Sequence, residues 1–293
     1  MRRGLLLSLL CVSVGALTGC QDETEITTEN IPTAGVRFIN AVPDTAGAYG
    51  MDLRFVDDVE SNAHFRHVYR SGANTSSGVT ASTSVQFKAA RAGSRHFRIF
   101  LDDSLQSVAS IVLKDSTVEL VAGKNYTAIL WGNSRTGQTP AMKLSFFEET
   151  VVAPGANQTA IRVINATGSP IDVRAYEGTT VPTAATWASV AALTASTHIM
   201  VDTGIIKFNV TPAGGGTALF ADAQLLAGAP AYSTAGATGR LDIEALPGTT
   251  VPGSAVTLIV FPRSVVGTRT PQTAAFLVPA GSNVWDRRPP YIP

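Results

Sequence analysis

Apolar and polar residues alternate with a period of two along several short segments of this chain. In "MDLRF" (51–55), Asp52 and Arg54 stand between apolar residues, and "IDVRA" (171–175) repeats this pattern around Asp172 and Arg174. Successive side chains of a β-strand point to opposite faces of the sheet. Each segment therefore predicts a half-buried strand with one apolar face and one charged face.

Strand-like segments of five or six residues recur along most of the chain. "VRFIN", "HFRIFL", "YTAILW" and "KLSFF" are rich in β-branched and aromatic residues, and Gly, Pro, Asn, Asp or Ser bounds them. Turn signals recur about every ten residues, which is typical of a β-sandwich. "AGGGT" (213–217) predicts a hairpin turn, because strands flank it and no helix follows. The segment 184–193, "AATWASVAAL", is predicted to form one short helix.

Three motifs occur twice in the same order. "VRFINA" (36–41) returns as "IRVINA" about 125 residues later, and "GSRHFRI" returns as "GIIKFNV". "GKNYTAILW" and "GSAVTLIVF" share Gly-x-x-x-Thr followed by four apolar residues. The separation drifts between motifs, as loop insertions would produce. The chain is therefore predicted to contain two tandem, independently folding antiparallel β-sandwich domains, residues 33–150 and 158–278, joined by a linker at 148–158.

The first twenty residues are typical of an export signal. Arg2 and Arg3 precede a short apolar run that ends in "LTGC", with Cys20 last. This stretch resembles the lipobox of bacterial lipoproteins. The resemblance implies a signal peptide over 1–19, cleavage before Cys20, and lipid attachment to Cys20. The alternative is an ordinary signal peptide followed by a chance cysteine.

The segment 20–32 is polar and acidic and predicts a flexible tether, since it has too few apolar residues to form a core. Gln21 is not the aspartate that resembles an inner-membrane retention signal, which favours the outer membrane where the cell has one. Cys11 lies in the segment to be removed, so no disulfide can form within the mature chain. The segment 279–293 is rich in proline and predicts an extended tail.

Composition narrows the function classes. The chain is 45% hydrophobic and only 15% charged, with equal numbers of basic and acidic residues. It contains no basic stripe with interleaved aromatic residues, which argues against nucleic-acid binding. No second apolar run approaches the ~20 residues that a membrane-spanning helix needs.

Candidate catalytic chemistry is sparse, and we expect no catalytic, cofactor-binding or metal site. None of the common hydrolase, zinc-protease, phosphate-loop or EF-hand motifs occurs. The four histidines are His64, His67, His96 and His198. His64 and His67 are close in sequence, but a spacing of three on a strand places them on opposite faces. The aspartates of "DTAGAYGMD" and "LDDS" fit turns better than a calcium loop.

Polar residues recur at matching places in the two repeats: Arg37 and Arg162, Asn40 and Asn165, Asp52 and Asp172. One interpretation is a duplicated ligand site. The other is structural: Asn ends a strand in an Asx turn, and Asp pairs with the arginine two residues on. We favour the structural interpretation. On it, alanine at Asp52 or Asp172 removes an exposed pair that contributes ~0.2–1 kcal/mol.

The opening V/I-R-x-x-N-A, the D-V/L-R strand and the late Gly-x-x-x-Thr strand together resemble domain of unknown function 4397. The resemblance covers about 33–150 and 158–262, and it implies immunoglobulin-like sandwiches on exported bacterial proteins. It implies no activity. We therefore expect a lipid-anchored, non-catalytic envelope protein that binds another protein, a glycan or the cell wall. The alternative is an exported hydrolase whose site has no sequence signature.

Overall fold

The computed structural model describes residues 31–44, 51–57, 69–71, 87–101, 105–134, 136–149, 152–224, 227–233, 242–243, 245, 247–262 and 277–278. From Pro32 onward they belong to one compact unit. The predicted signal peptide, Cys20, nearly all of the tether, His64, His67 and the 279–293 tail lie outside the described residues. The structure is described below as an N-terminal half (32–149) and a C-terminal half (152–278).

The N-terminal half is built from eight described strands and one helical turn. They are β1 (Thr33–Asn40), β2 (Met51–Phe55), β3 (Tyr69–Ser71), β4 (Lys88–Arg91), β5 (Gly93–Leu101), α1 (Gln106–Ala109), β6 (Val112–Leu120), β7 (Asn125–Trp131) and β8 (Lys143–Glu148). They form two sheets, with strand orders β4-β1-β7-β8 and β3-β2-β5-β6.

The C-terminal half continues with strands only in its described part. They are β9 (Gln158–Asn165), β10 (Ile171–Tyr176), β11 (Trp187–Val190), β12 (Thr194–Ala195), β13 (Ile199–Asp202), β14 (Lys207–Pro212), β15 (Phe220–Gln224), β16 (Tyr232–Ser233), β17 (Asp242–Ile243), β18 (Ala255–Val260) and β19 (Leu277–Val278). One sheet has the order β12-β9-β18-β19 with β13 also on β9, and another has the order β11-β10-β14-β15. β16 and β17 form a separate hairpin.

The two halves connect their strands in the same way. In each half, the opening strand pairs with a late strand in parallel, β1 with β7 and β9 with β18. Every other described strand pairing is antiparallel. The prediction of an all-β sandwich fold is confirmed, with the difference that each half contains this one parallel pair. A parallel pair requires a long connection, and the strands between the two motifs provide it.

Each half has its own apolar core between its two sheets. In β1, Val36 and Phe38 face the N-terminal core, which also contains Leu53, Ile99 and Leu130. In β9, Ile161 and Val163 occupy the same places in the C-terminal core, together with Val173, Phe208 and Leu258. Alternation along β1 and β9 therefore places only every second residue of each motif in a core.

The residues between them pack in a third cluster, which we call the junction. It joins the outer face of the β1–β7 pair to the outer face of the β9–β18 pair, and its buried members are Ile39, Ala41, Ile129, Trp131, Ile164, Ala166, Ile259 and Phe261. The Trp131 ring meets the Phe147 ring edge to face, with centroids 5.4 Å apart. The opening motifs are thus buried on both faces, which explains their nearly continuous apolar character. Independent folding of residues 33–150 and 158–278 stays a prediction, and the junction is the surface that such separation would expose.

The helix predicted at 184–193 is wrong. Trp187 and Val190 are buried on β11, which pairs with β10 through an irregular register. Between them Ser189 has φ 48°, which a right-handed helix does not permit. The spacing of three between Trp187 and Val190 comes from this irregularity and not from helical periodicity. The described helical turn, α1, lies instead between β5 and β6.

The glycine-rich segment 213–217 connects β14 to β15, which are antiparallel. The hairpin prediction is therefore confirmed. Gly214, Gly215 and Gly216 have φ of 82°, 105° and 116°. Residues with a Cβ rarely adopt these values, which explains the three consecutive glycines.

Candidate functional site

The most concentrated group of buried charges in the described chain lies beside the junction. Arg37 on β1 and Arg162 on β9 project from the outer faces of their sheets. Each lies two residues before the first junction residue of its strand, Ile39 or Ile164. Both reach the carboxylate of Glu149, which directly follows β8. Their side chains are 0% and 6% exposed, and that of Glu149 is 7% exposed. The cluster thus ties the two halves together through one carboxylate.

The hydrogen bonds of the cluster repeat from one half to the other. Arg37 Nε donates to Thr127 Oγ1 at 2.6 Å, and Arg162 Nε donates to Thr257 Oγ1 at 3.0 Å. Thr127 and Thr257 are the threonines of the two Gly-x-x-x-Thr motifs, and they lie opposite the arginines in the parallel strand pairs. Two motifs that recur separately in the sequence therefore meet in space.

Glu149 receives a different bond on each oxygen. Arg37 Nη2 donates to Oε1 at 2.9 Å, and Arg162 Nη2 donates to Oε2 at 2.6 Å. The Thr127 hydroxyl also contacts Oε1. The Arg37 guanidinium stacks over the Phe87 ring at 4.7 Å. We call Arg37, Thr127, Glu149, Arg162 and Thr257 the arginine–glutamate cluster.

The electrostatics of the cluster favour ionised Glu149. Burial acts to raise the pKa of Glu149, but the attraction of Arg37 and Arg162 and the hydrogen bonds from Thr127 and Arg162 outweigh it. The pKa of this carboxyl group is therefore held below its ordinary value. A carboxylate held ionised and saturated by donors is a poor general base, so the cluster is suited to fixing geometry and not to moving protons.

Asn40 and Asn165 end their strands as predicted. Asn40 Oδ1 accepts the Val42 N–H at 3.0 Å, and Asn165 Oδ1 accepts the Thr167 N–H at 2.9 Å. These i to i+2 bonds are Asx turns. Asn165 also donates from Nδ2 to the carbonyls of Ser169, Val190 and Ala191, at 2.9, 2.9 and 3.2 Å. Both asparagines are fully buried.

The two aspartates of the D-V/L-R strands do not lie on an exposed face. Asp52 is 1% and Asp172 is 8% exposed, so the prediction of exposed ion pairs is wrong. Asp52 bonds to Arg54 at 2.9 Å, as expected for a same-face pair. Asp172 instead accepts the backbone N–H groups of Ser189 and Gly214 at 2.7 and 3.1 Å. Strand β11 and the β14–β15 hairpin therefore pack over Asp172, and alternation within one strand carries no information about them.

The described histidines do not converge. His96 lies on β5 and bonds through Nε2 to Asp115 Oδ1 at 2.5 Å on the outer face of its sheet. His198 precedes β13 in the other half. Asp44, from "DTAGAYGMD", accepts the backbone N–H and the hydroxyl of Ser134, which ties it to the segment after β7; the predicted turn at Asp44 stays a prediction. In the described residues, no group of three or more His, Cys, Asp or Glu side chains is placed to hold a metal ion.

An open apolar depression of about 510 Å³ lies in the C-terminal half. It is bounded by the β9–β10 connection, the β14–β15 hairpin and the end of β18. Its lining residues are Thr167, Gly168, Ser169, Pro170, Ile171, Pro212, Thr217, Ala218, Leu219, Phe261 and Pro262. This lining includes no ionisable side chain, so the depression offers shape and apolar contact but no acid, base or nucleophilic thiol.

Sequence reasoning missed Glu149, which it placed in the linker. A signal was present: Phe147 and Glu149 share a period of two at the end of β8, and Phe147 packs against the junction. Their alternation places Glu149 on the junction face of the sheet.

A family model described as "Domain of unknown function (DUF4397)" matches residues 34–176. This range contains nearly all of the N-terminal half and extends through β10, the second strand of the C-terminal half. Among curated proteins, none matches the sequence significantly. No helix in the described part of the chain is both long and apolar enough to cross a bilayer.

Proposed function

We propose that this protein is a lipid-anchored, non-catalytic component of the bacterial cell envelope, attached through Cys20. Two immunoglobulin-like copies of the DUF4397 domain form its body, and that body binds a partner or has a structural role. The partner classes are an envelope protein, a glycan or the cell wall. The outer membrane is the favoured site where the cell has one.

One observation carries the non-catalytic part of the proposal. Six of the polar residues that recur between the halves are at most 8% exposed: Arg37, Asn40, Asp52, Arg162, Asn165 and Asp172. Hydrogen bonds to other groups of the protein hold Arg37, Arg162, Asn40 and Asn165 in place. A duplicated ligand site made of these residues would have no access to solvent. Their recurrence is therefore a requirement of the fold, which leaves exposed loops and strand edges to contact a partner.

Two further observations support the rest of the proposal. "LTGC" after a basic start and an apolar run supports a lipid anchor at Cys20. The equal connectivity of the halves supports a second copy of the domain, because β9, β10, β14 and β18 occupy the places of β1, β2, β5 and β7. The family match itself reaches only to residue 176.

Detergent phase partitioning tests the anchor. The full chain should enter the detergent phase when it is expressed in a bacterium that processes lipoproteins, and Cys20→Ser should move it to the aqueous phase. Cys11→Ser is the matched control, because Cys11 lies in the segment that processing would remove. Aqueous partitioning of all three proteins would overturn the lipid anchor.

A hydrolase panel with metal analysis on the purified mature chain tests the absence of catalysis. We expect no turnover and no stoichiometric metal. Turnover that disappears on changing His64, His67, His96 or His198 would place the protein among enzymes instead. If the mature chain shows no turnover but retains a defined glycan, peptidoglycan or envelope protein, the binding role is supported.

A further inference from the structure

The two opening strands, β1 and β9, have the same order of polar and apolar residues on their outer faces. Arg37 and Arg162 share Glu149, while Ile39 and Ala41 pack in one cluster with Ile164 and Ala166. Both strands therefore pass Glu149 before they reach the apolar junction, so β1 and β9 begin on the same side of it. We call the end at which β1 and β9 begin the lower end of the molecule.

Exposed aliphatic side chains from the N-terminal half lie at the lower end. Val56 follows β2, and its N–H donates to the His96 carbonyl near the start of β5. Val121 follows β6, whose last residue pairs with Gly93. Two residues later, the Gly123 N–H donates to the Thr33 carbonyl at 2.8 Å. Val56 is 40% and Val121 is 51% exposed.

The C-terminal half presents two more such side chains at the same end. Ile205 lies between the end of β13, where Asp202 pairs with Gln158, and the start of β14. Val181 lies in the loop after β10, whose last residue pairs with Lys207 at the start of β14. Ile205 is 60% and Val181 is 40% exposed. Loops of both halves therefore contribute aliphatic groups to one end of the molecule.

The lower end is also where the chain from Cys20 enters. Pro32 accepts the Ala92 N–H at 2.9 Å immediately before β1. Twelve residues separate Cys20 from Thr33, so the anchor can lie at most about 47 Å from this end, which is thirteen fully extended steps. A tether attached here favours contact of the lower end with the bilayer over contact of the opposite end, where Leu105, Ile111, Val112 and Leu219 are exposed.

We propose that Val56, Val121, Val181 and Ile205 form a membrane-contact face, with the lower end resting on the lipid surface. This inference rests on the proposed lipid anchor. The anchor supplies the attachment, and the four side chains orient the body by entering the interfacial region of the bilayer. The exposed charges at this end include the Lys124–Glu148 ion pair, at 2.7 Å, and the acidic side chains of Glu119 and Asp202, so the charge here does not attract an anionic surface. Contact should therefore depend on apolar insertion and persist at high salt.

Site-specific fluorescence tests the orientation. Val121→Cys and Ile205→Cys would be labelled with an environment-sensitive dye on the lipidated full chain, in phosphatidylethanolamine–phosphatidylglycerol vesicles that carry nitroxide lipids. Leu105→Cys and Leu219→Cys, at the opposite end, are the matched controls. We expect blue-shifted emission and loss of fluorescence by nitroxide quenching at 121 and 205, at low and high salt, and neither effect at 105 or 219.

The outcomes separate the two proposals. Equal quenching at both ends, quenching only at 105 and 219, or none on a protein that partitions into detergent would overturn the membrane-contact face and leave the anchor intact. Failure of the wild type to partition would overturn both. A melting curve for each labelled variant verifies the fold, and Ile205→Cys carries the test if Val121→Cys shifts the melt.

Discussion

Glu149 shows how much of this fold depends on one side chain. It is buried, it directly follows the last strand of the N-terminal half, and it binds an arginine from each half. A buried carboxylate that loses its charge leaves both guanidinium groups without compensation in a region of low dielectric. Residue 149 is therefore expected to affect stability far more than its sequence neighbours.

Glu149→Gln should lower the free energy of unfolding by about 3–5 kcal/mol, because it removes the charge that compensates two buried arginines. Urea unfolding followed by circular dichroism measures the change. Glu148→Gln is the matched control, since Glu148 is 45% exposed and its pair with Lys124 faces solvent. A similar loss in both variants would contradict the role assigned to Glu149.

The lowered pKa of Glu149 predicts a dependence of stability on pH. Its ordinary value is 4.5, and its value in the folded protein lies below that. The unfolded chain therefore binds this proton first as the pH falls, so the stabilisation is complete above about pH 4.5 and is lost as the pH falls through the folded pKa. Urea midpoints between about pH 6 and about pH 3 should fall more steeply for the wild type than for Glu149→Gln. Parallel curves would show that Glu149 is not responsible.

Asn165→Asp separates the two functions of the Asn165 side chain. The carboxylate keeps the acceptor for the Thr167 N–H but loses the Nδ2 donor to three carbonyls. Leaving buried acceptors unsatisfied costs about 1–3 kcal/mol, and we expect a loss in that range by urea unfolding. Thr194→Ala, which removes an exposed hydroxyl bond to Ala191 in the same region, should have a smaller effect. An unchanged midpoint in Asn165→Asp would show that the donor bonds are dispensable.

At the scale of elements, the strands were predictable and their surroundings were not. The period of two in "MDLRF" correctly placed Leu53 in the core and Asp52 on the other face. It could not show that Asp52 is also buried, because alternation within one strand carries no information about the groups that pack over it. The failure at Trp187 and Val190 has a similar cause: alanine-rich composition favours a helix, but pairing with β10 and burial against Phe208 determine the conformation.

Asp172 acts on the elements around it, since it holds one N–H of β11 and one N–H of the β14–β15 hairpin. Asp172→Ala should cost about 1–3 kcal/mol, above the slight effect expected for an exposed pair, because two backbone donors lose their acceptor. Thermal melts measure the change. Asp202→Ala, at an exposed strand end, is the control, and equal shifts for the two variants would contradict this account.

At the scale of the whole molecule, repeated motifs predicted two equivalent halves, but not the surface between them. A buried arginine in "VRFINA" could equally have faced a ligand, an edge or solvent. Only the tertiary arrangement shows that Arg37, Ile39 and Ala41 face the other half. The one sequence signal for the junction is that both faces of the opening strands are apolar. A strand at the surface of a single sandwich needs only one apolar face.

Cleavage of the connection between the halves tests the junction. A protease site inserted at the exposed residues around Gly155 should allow the chain to be cut without separating the halves, because eight apolar side chains are buried between them. Gel filtration should show both fragments in one peak. Ile164→Asp should release them after cleavage, since it places an unpaired charge in the junction. If the cleaved protein that keeps Ile164 also separates into two peaks, the junction is too weak to hold the halves together.

The junction also has a consequence for the origin of the chain. Equivalent residues contribute to it from both halves, since Arg37 and Arg162 share Glu149 and Ile39 and Ile164 belong to one buried cluster, as in an isologous interface between identical subunits related by a twofold axis. A single-copy protein with the same opening motif therefore already has a self-complementary surface and is expected to form a homodimer. Duplication of the gene would then join the two subunits into one polypeptide and remove the dependence of assembly on concentration.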